Sequence, residues 1–96
     1  MVSQLYYVLR SRVDGSYLVA HPRGPEGERT GFLLVFSADY DALSYLNAHA
    51  PDLSDKFAVE TVTASSLKPL ISRWSFEGLG MVSEPRLPQV DFFNRS

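Results

Sequence analysis

The chain has 96 residues, an apolar fraction of 45% and a net charge of −2, values that suit one globular domain with a single modest core. This slight acidity argues against nucleic-acid binding as a main task, because basic patches are what bind phosphate backbones. The lack of cysteine excludes disulfides, thiolate nucleophiles and cysteine-containing metal sites, and it fits a reducing compartment such as the cytoplasm.

The opening residues predict a β-hairpin. Residues 4–12 are rich in aromatic and β-branched side chains, which favour a strand. Asp14 and Gly15 both accept positive φ angles, so the pair is typical of a hairpin turn. Residues 16–21 should therefore return as a second, antiparallel strand.

The middle of the chain combines a loop with the most apolar stretch. Residues 22–29 contain two prolines, two glycines and four charged side chains, which is typical of an exposed loop. Residues 31–36 carry no charge and do not alternate, so we expect a strand that is buried on both faces. Ser37 is the expected N-cap of a helix that begins at residue 38 and ends near Asn47.

The second half predicts a strand, a helix and a last short strand. Residues 57–62 alternate between apolar and polar types, as a half-buried strand does. Ser65 or Ser66 should cap the following helix, and Gly78 or Gly80 should end it. The inner stripe of this helix consists of four residues at helical spacing, Leu67, Leu70, Ile71 and Trp74.

A short strand at residues 81–82 completes the order β-β-β-α-β-α-β. This order predicts an α+β fold, with one mixed, largely antiparallel sheet of about five strands and two helices on one face. Pro85 and Pro88 should close off regular structure. We therefore place a single domain at residues 1–88 and a C-terminal tail at residues 89–96.

No residue pattern predicts a catalytic centre, a cofactor site or a metal site. His21 and His49 are the only histidines, and neither belongs to a pattern of nucleophiles, carboxylates or metal ligands. Residues 65–68 match Ser-x-x-Lys, but the partner motifs of that pattern are absent and helix N-capping explains Ser65. We therefore expect a protein that is not an enzyme and that needs no cofactor.

The loop at residues 22–29 offers one alternative. It is the only loop in which glycines and basic residues coincide, and Arg23 and Arg29 with His21 would form a small-ligand or anion site. Two features argue against a phosphate cradle: a strand rather than a helix follows the loop, and two glutamates lie within it.

Aromatic residues suggest a different function. Two helices on one face would leave the other face of the sheet to be covered, and Tyr6 and Val8 are candidates for that face. The tail with Phe92 and Phe93 is unusually apolar for a free end. Our leading hypothesis is a non-enzymatic protein-interaction or regulatory module that binds a protein partner or forms a homodimer.

Nucleic acids and membranes are not expected partners. The sequence has no basic aromatic motif of the RNA-binding kind, and no apolar run approaches the roughly 20 residues that span a bilayer. The first residues lack the pattern of a signal peptide. Cytoplasmic localisation is therefore the expectation.

Three segments follow one another in a recognisable order. Leu-Tyr-Tyr-Val at residues 5–8 precedes a turn, and Leu-Val-Phe-Ser at residues 34–37 leads into a helix that contains Ala42 and Leu46. The apolar helix residues 67–70 then precede Gly-Met-Val-Ser-Glu-Pro at residues 80–85. This order, over about residues 5–85, resembles the N-terminal domain of the SseB family of bacterial proteins. The resemblance implies a small bacterial cytosolic α+β module and supplies no catalytic residue.

Overall fold

The computed structural model describes residues 4–22, 31–85 and 90–94. A 3₁₀ helix, Pro51–Leu53, precedes the fourth strand. In this described part the chain forms six strands and two α-helices: β1 (Leu5–Ser11), β2 (Val19–Ala20), β3 (Phe32–Phe36), α1 (Asp39–His49), β4 (Phe57–Thr63), α2 (Ala64–Trp74), β5 (Gly78–Val82) and β6 (Asp91–Asn94).

The strands form one mixed sheet in the order β4-β1-β3-β5-β6, and β2 pairs with the first part of β3. Only β3 and β5 pair in parallel, and the other neighbouring strands pair antiparallel. The predicted α+β class, with a mixed, largely antiparallel sheet and two helices, is therefore confirmed.

The central strand β3 is buried on both faces, as its uncharged sequence predicts. All five of its residues are buried. Leu33 and Val35 contribute to one apolar cluster, and Leu34 and Phe36 contribute to another on the opposite face. Because successive side chains of a strand point to opposite faces, both faces of the sheet need a cover.

The expectation that both helices lie on one face is wrong. Leu67 and Ile71 of α2 belong to the cluster that contains Leu33 and Val35. Ala42 and Leu46 of α1 belong to the cluster on the opposite side of β3. We call the two sides of the sheet the α1 face and the α2 face.

Chain topology explains the opposite placement of the helices. Since β1 pairs antiparallel with both β3 and β4, the strands β3, β4 and β5 all run in the same direction. The connection from β3 through α1 to β4 passes β1 toward the β4 edge of the sheet. The connection from β4 through α2 to β5 passes β1 and β3 in the opposite direction, toward the β6 edge. Right-handed crossovers in opposite directions put their helices on opposite faces.

The predicted turn forms at Asp14 and Gly15, but the second strand expected at residues 16–21 is reduced to Val19–Ala20, which pairs with β3, while Tyr17 makes a single bridge to Arg10. Gly15 has a φ of 75°, and its N–H donates to the Ser11 carbonyl at 3.0 Å. The Asp14 carboxylate accepts bonds from the Ser16 hydroxyl at 2.7 Å and the Ser16 N–H at 3.0 Å. These bonds lower the pKa of Asp14, because they stabilise its charged form.

The helix starts differ from the predicted caps. The residue before α1 is Ala38, so the Ser37 cap is wrong, although two aspartates lie in the first turn as expected. The residue before α2 is Thr63, so the helix begins ahead of Ser65 and Ser66. The Thr63 hydroxyl bonds with both serine hydroxyls, which favours this early start.

The end of α2 also lies earlier than predicted. Ser75 adopts the left-handed conformation with a φ of 60°, and the next N–H, that of Phe76, donates to the Ile71 carbonyl at 2.9 Å. This pair of features closes the helix three residues before Gly78. The glycines Gly78 and Gly80 lie in β5 instead, where a different constraint requires them.

Candidate functional site

The predicted interaction residues lie in two separate places. Val8 is fully buried and Tyr6 is partly buried, and both belong to the α2 face. Phe92 and Phe93 lie on β6 and are 38% and 56% exposed. The helix α2 thus covers the face that sequence reasoning left bare, and the exposed aromatic surface is at the edge of the sheet.

The segment expected as a tail contains an edge strand. Residues 91–94 pair antiparallel with β5, with Phe92 opposite Gly80 and Phe93 opposite Leu79. Regular structure therefore continues after Pro85, contrary to the prediction, while Pro88 lies outside the described residues. Antiparallel pairing with a buried strand satisfies one side of the β6 backbone.

The two phenylalanines of β6 point to opposite faces of the sheet. The Phe92 ring packs edge-to-face on Phe32, with 5.1 Å between the ring centres. This contact places Phe92 on the α1 face, because the side chains of Phe32, Leu34 and Phe36 all point to that face. Phe93 consequently points to the α2 face, next to Leu79.

Two glycines in β5 allow β6 to approach. A Cβ atom on Gly78 would collide with the carbonyl oxygen of Phe93. A Cβ atom on Gly80 would lie 2.8 Å from Cγ1 of Val90 and 3.1 Å from Cε1 of Phe92. The backbone of β5 is therefore shaped to receive β6.

The outer side of β6 is unpaired among the described residues. All four residues of β6 are exposed. Natural edge strands are commonly protected by short length, charged side chains, proline or a bulge; β6 is short and carries Asp91, but its sequence Asp-Phe-Phe-Asn has no lysine or proline. An edge strand that exposes two phenylalanines beside an unpaired backbone is a template for pairing with another chain.

The residue His21 lies in a cleft of about 660 Å³ on the α1 face. The lining combines aromatic, acidic and small side chains: Ala20, His21, Pro22, Tyr45, Ser83, Glu84, Val90, Asp91 and Phe92. Arg23 and Arg29, the other members of the predicted anion site, lie outside the described residues. The described charges of the cleft come from two carboxylates, which disfavour an anion there.

Among residues 4–22, 31–85 and 90–94, no group of three or more His, Cys, Asp or Glu side chains could hold a metal ion. None of the helices in these residues has the length and apolar character needed to cross a bilayer. His49, exposed at the end of α1, pairs its Nε2 with the Pro85 carbonyl at 3.0 Å.

Sequence reasoning missed a cluster on the α2 face. Arg10 forms an ion pair with Glu60 at 3.3 Å, and the Tyr17 ring packs against both Arg10 and Trp74. The sequence did indicate the face of Arg10, since Arg10 and Tyr6 are an even number of residues apart in one strand and point to the same face. The pairing of Arg10 with Glu60 depends on the register between β1 and β4, which no local pattern indicates.

No protein-family model, curated protein or solved structure matches the chain. The resemblance to the SseB family therefore stays a prediction. The functional proposal rests on the surfaces described above.

Proposed function

We propose that the protein is a non-enzymatic protein-interaction module that pairs with a second copy of itself along β6. One observation carries the proposal: β6 is an edge strand, unpaired on its outer side among the described residues, with an exposed phenylalanine on each of its two faces. Exposed edges of this kind associate by adding a strand to the sheet, with main-chain hydrogen bonds for affinity and side chains for specificity.

Symmetry makes a second copy a fitting partner for this strand. Two antiparallel copies of β6, related by a two-fold axis perpendicular to the sheet, keep each face continuous across the junction. Such pairing places Phe92 opposite Phe92, or Phe93 opposite Phe93, of the second copy. Either register forms a cross-strand aromatic pair, which stabilises a sheet by up to about 1 kcal/mol relative to alanine.

The strand length limits the strength of this dimer. Four residues on each side are far fewer than the roughly 20–30 residues per partner in a standard interface. We therefore expect a weak dimer whose population rises with protein concentration. A weak, reversible contact also suits a regulatory module, since small changes in concentration would change its assembly.

Light scattering coupled to size-exclusion chromatography tests the proposal directly. The full chain should shift from monomer mass toward dimer mass as its concentration rises. Phe93→Lys should hold it at monomer mass, because a lysine on an edge strand opposes strand pairing. Val13→Lys is the matched control, since Val13 is 80% exposed in the hairpin turn and lies far from β6 in the sheet order.

Three results would contradict self-association through β6. One is a monomer mass for the full chain at every concentration. Another is an equal loss of dimer in Phe93→Lys and Val13→Lys, which would assign the effect to added charge. The third is a dimer that persists unchanged in Phe93→Lys, which would place the interface elsewhere.

The remaining expectations stay predictions. The small-ligand alternative with His21, Arg23 and Arg29 predicts a ligand-dependent rise in melting temperature that a double Arg→Ala variant abolishes. Cytoplasmic localisation and bacterial origin rest on sequence features and on the resemblance alone, and so does the expectation that the protein is not an enzyme.

A further inference from the structure

A recess on the α2 face combines aromatic and basic side chains. It has a volume of about 570 Å³ and lies between the residues that flank the Asp14-Gly15 turn and the end of α2; its lining is Arg10, Tyr17, Leu70, Arg73 and Trp74. Trp, Tyr and Arg are the residue types that contribute most to binding energy at protein interfaces. The composition of this recess therefore points to a binding surface rather than to core packing alone.

Two aromatic rings, Tyr17 and Trp74, line the recess, and the Phe76 ring packs against both of them. Tyr17 packs edge-to-face on Trp74, with ring centres 5.2 Å apart, and Phe76 stacks on Trp74 at 6.1 Å. Tyr17 and Phe76 are buried, whereas Trp74 is 37% exposed. The buried rings hold the indole in place, so a ligand can pack on Trp74 without first ordering it.

The two arginines of the recess differ in their contacts. Arg10 already pairs with Glu60, donates to the Gly15 carbonyl at 2.9 Å and lies 4.9 Å from the centre of the Tyr17 ring. Arg73 is exposed in the last turn of α2 and forms no ion pair with any other described residue. Its guanidinium is thus the positive charge that a ligand can meet.

We propose that this recess binds an acidic side chain of a partner peptide. The carboxylate pairs with Arg73, and an apolar side chain next to it in the peptide packs on Trp74 and Leu70. Charge complementarity selects this occupant, because Glu60 compensates Arg10 while Arg73 has no carboxylate partner among the described residues. An arginine beside an exposed tryptophan provides a planar donor and an apolar surface together.

Intrinsic fluorescence gives a direct measurement, since Trp74 is the only tryptophan of the chain. The probe is the capped peptide acetyl-Gly-Glu-Leu-Glu-Gly-amide, titrated against the full chain at low salt. Binding should shift the emission of Trp74 to shorter wavelength in a saturable manner, because the peptide removes water from the indole. The counterpart with Gln in place of Glu should bind about fivefold more weakly, the value of a favourable surface ion pair.

A matched pair of variants assigns the effect to Arg73. Arg73→Gln should weaken binding of the acidic peptide by about fivefold and leave binding of the neutral peptide unchanged. Lys68→Gln removes one positive charge from the same helix but outside the recess, so it should leave both affinities unchanged. Added salt should weaken only the acidic peptide.

Several results would overturn the proposal. They are a Trp74 emission that does not change up to millimolar peptide, equal affinity for the two peptides, and equal effects of the two variants. A single-stranded oligonucleotide that shifts the emission when the peptide does not would assign the recess to another class of partner.

The recess and the β6 edge can be tested separately. The segment that carries Arg10 and Tyr17 is separated from β6 by β3 and β5. Phe93→Lys should therefore leave the peptide titration unchanged, and Arg73→Gln should leave the mass in solution unchanged.

Discussion

The two edges of the sheet, β4 and β6, occupy equivalent positions in the strand order but differ in their surroundings. The side chains of β4 are mostly half-buried, with Phe57 and Val59 in the α1 face and Val62 in the α2 face. Glu60 on the same strand is paired with Arg10. All four residues of β6 are exposed instead.

The two edges differ in the cover of their side chains and not in backbone pairing, because no described strand pairs with the outer side of either β4 or β6. β4 is the longer strand, both helices pack against it, and the 3₁₀ helix Pro51–Leu53 lies just ahead of it in the chain. β6 makes its main contacts with β5, at the far side of the sheet. Association should therefore involve β6, and β4 should behave as part of the folded body.

The largest expected effect tests how β6 is held. Gly78→Ala places a methyl group against the Phe93 carbonyl, and because backbone atoms cannot yield easily, we expect a loss of about 3 kcal/mol in the free energy of unfolding. Gly80→Ala meets the side chains of Val90 and Phe92, which can move, so it should cost about 1 kcal/mol. Urea denaturation of both variants measures the difference, and equal losses would contradict this account of β6.

The second effect compares the two edges directly. Val59→Ala removes partly buried apolar surface from β4 and should cost about 1 kcal/mol of stability. Phe93→Ala removes a larger side chain from β6, but it should change stability by less than about 0.5 kcal/mol, because more than half of that side chain is exposed. Denaturation at low protein concentration, where dimers do not contribute, gives both values. A greater loss for Phe93→Ala would reverse the comparison.

A third, smaller effect concerns the charge on β4. Glu60→Gln removes the ion pair with Arg10 and the charged acceptor of the Tyr17 hydroxyl, which lies 3.3 Å away. Both charged side chains are about two-fifths exposed, so solvent screens the pair and the loss should be about 0.5 kcal/mol. Chemical denaturation at low and high salt measures it, and a loss that persists unchanged at high salt would rule out an electrostatic origin.

The smallest effect is a pH dependence on the alkaline side. Burial, followed by the Glu60 charge, raises the pKa of Tyr17 above its ordinary value of 10.0, and burial also raises the pKa of Tyr45. The unfolded chain releases these protons first, so the contribution of the two tyrosines to stability is constant below about pH 10 and is lost above it. Tyr17→Phe and Tyr45→Phe should each make the fall shallower in thermal melts. A wild-type slope in both variants would contradict this account of the alkaline fall.

Local features of the fold were predictable because local chemistry sets them. The pair Asp14-Gly15 correctly predicts a turn, and the uncharged run at residues 31–36 correctly predicts the buried strand β3. The faces of the helices could not be predicted, since they depend on the order of the strands rather than on any single segment. The sequence did not indicate the position of β6 either. The prolines after β5 suggest the end of regular structure, and Gly78 and Gly80, which make room for β6, are typical of the end of a helix.

The candidate site was predictable only where local sequence determines it. The apolar character of Phe92 and Phe93 was visible in the sequence, but their place on an edge strand depends on pairing with β5. Val8 is buried and not on the surface, because α2 covers its face of the sheet. The recess joins Tyr17 to Trp74 across more than fifty residues of chain, a contact that only the folded structure reveals.

Amide hydrogen exchange at low and high protein concentration tests the central claim most directly, because it reports on both edges in one experiment. Pairing along β6 should increase the protection of backbone amides within Asp91–Asn94 at high concentration, while the amides of Phe57–Thr63 keep the same protection. Unchanged protection in β6, or a concentration-dependent increase in β4 instead, would contradict the assignment of β6 as the interaction edge.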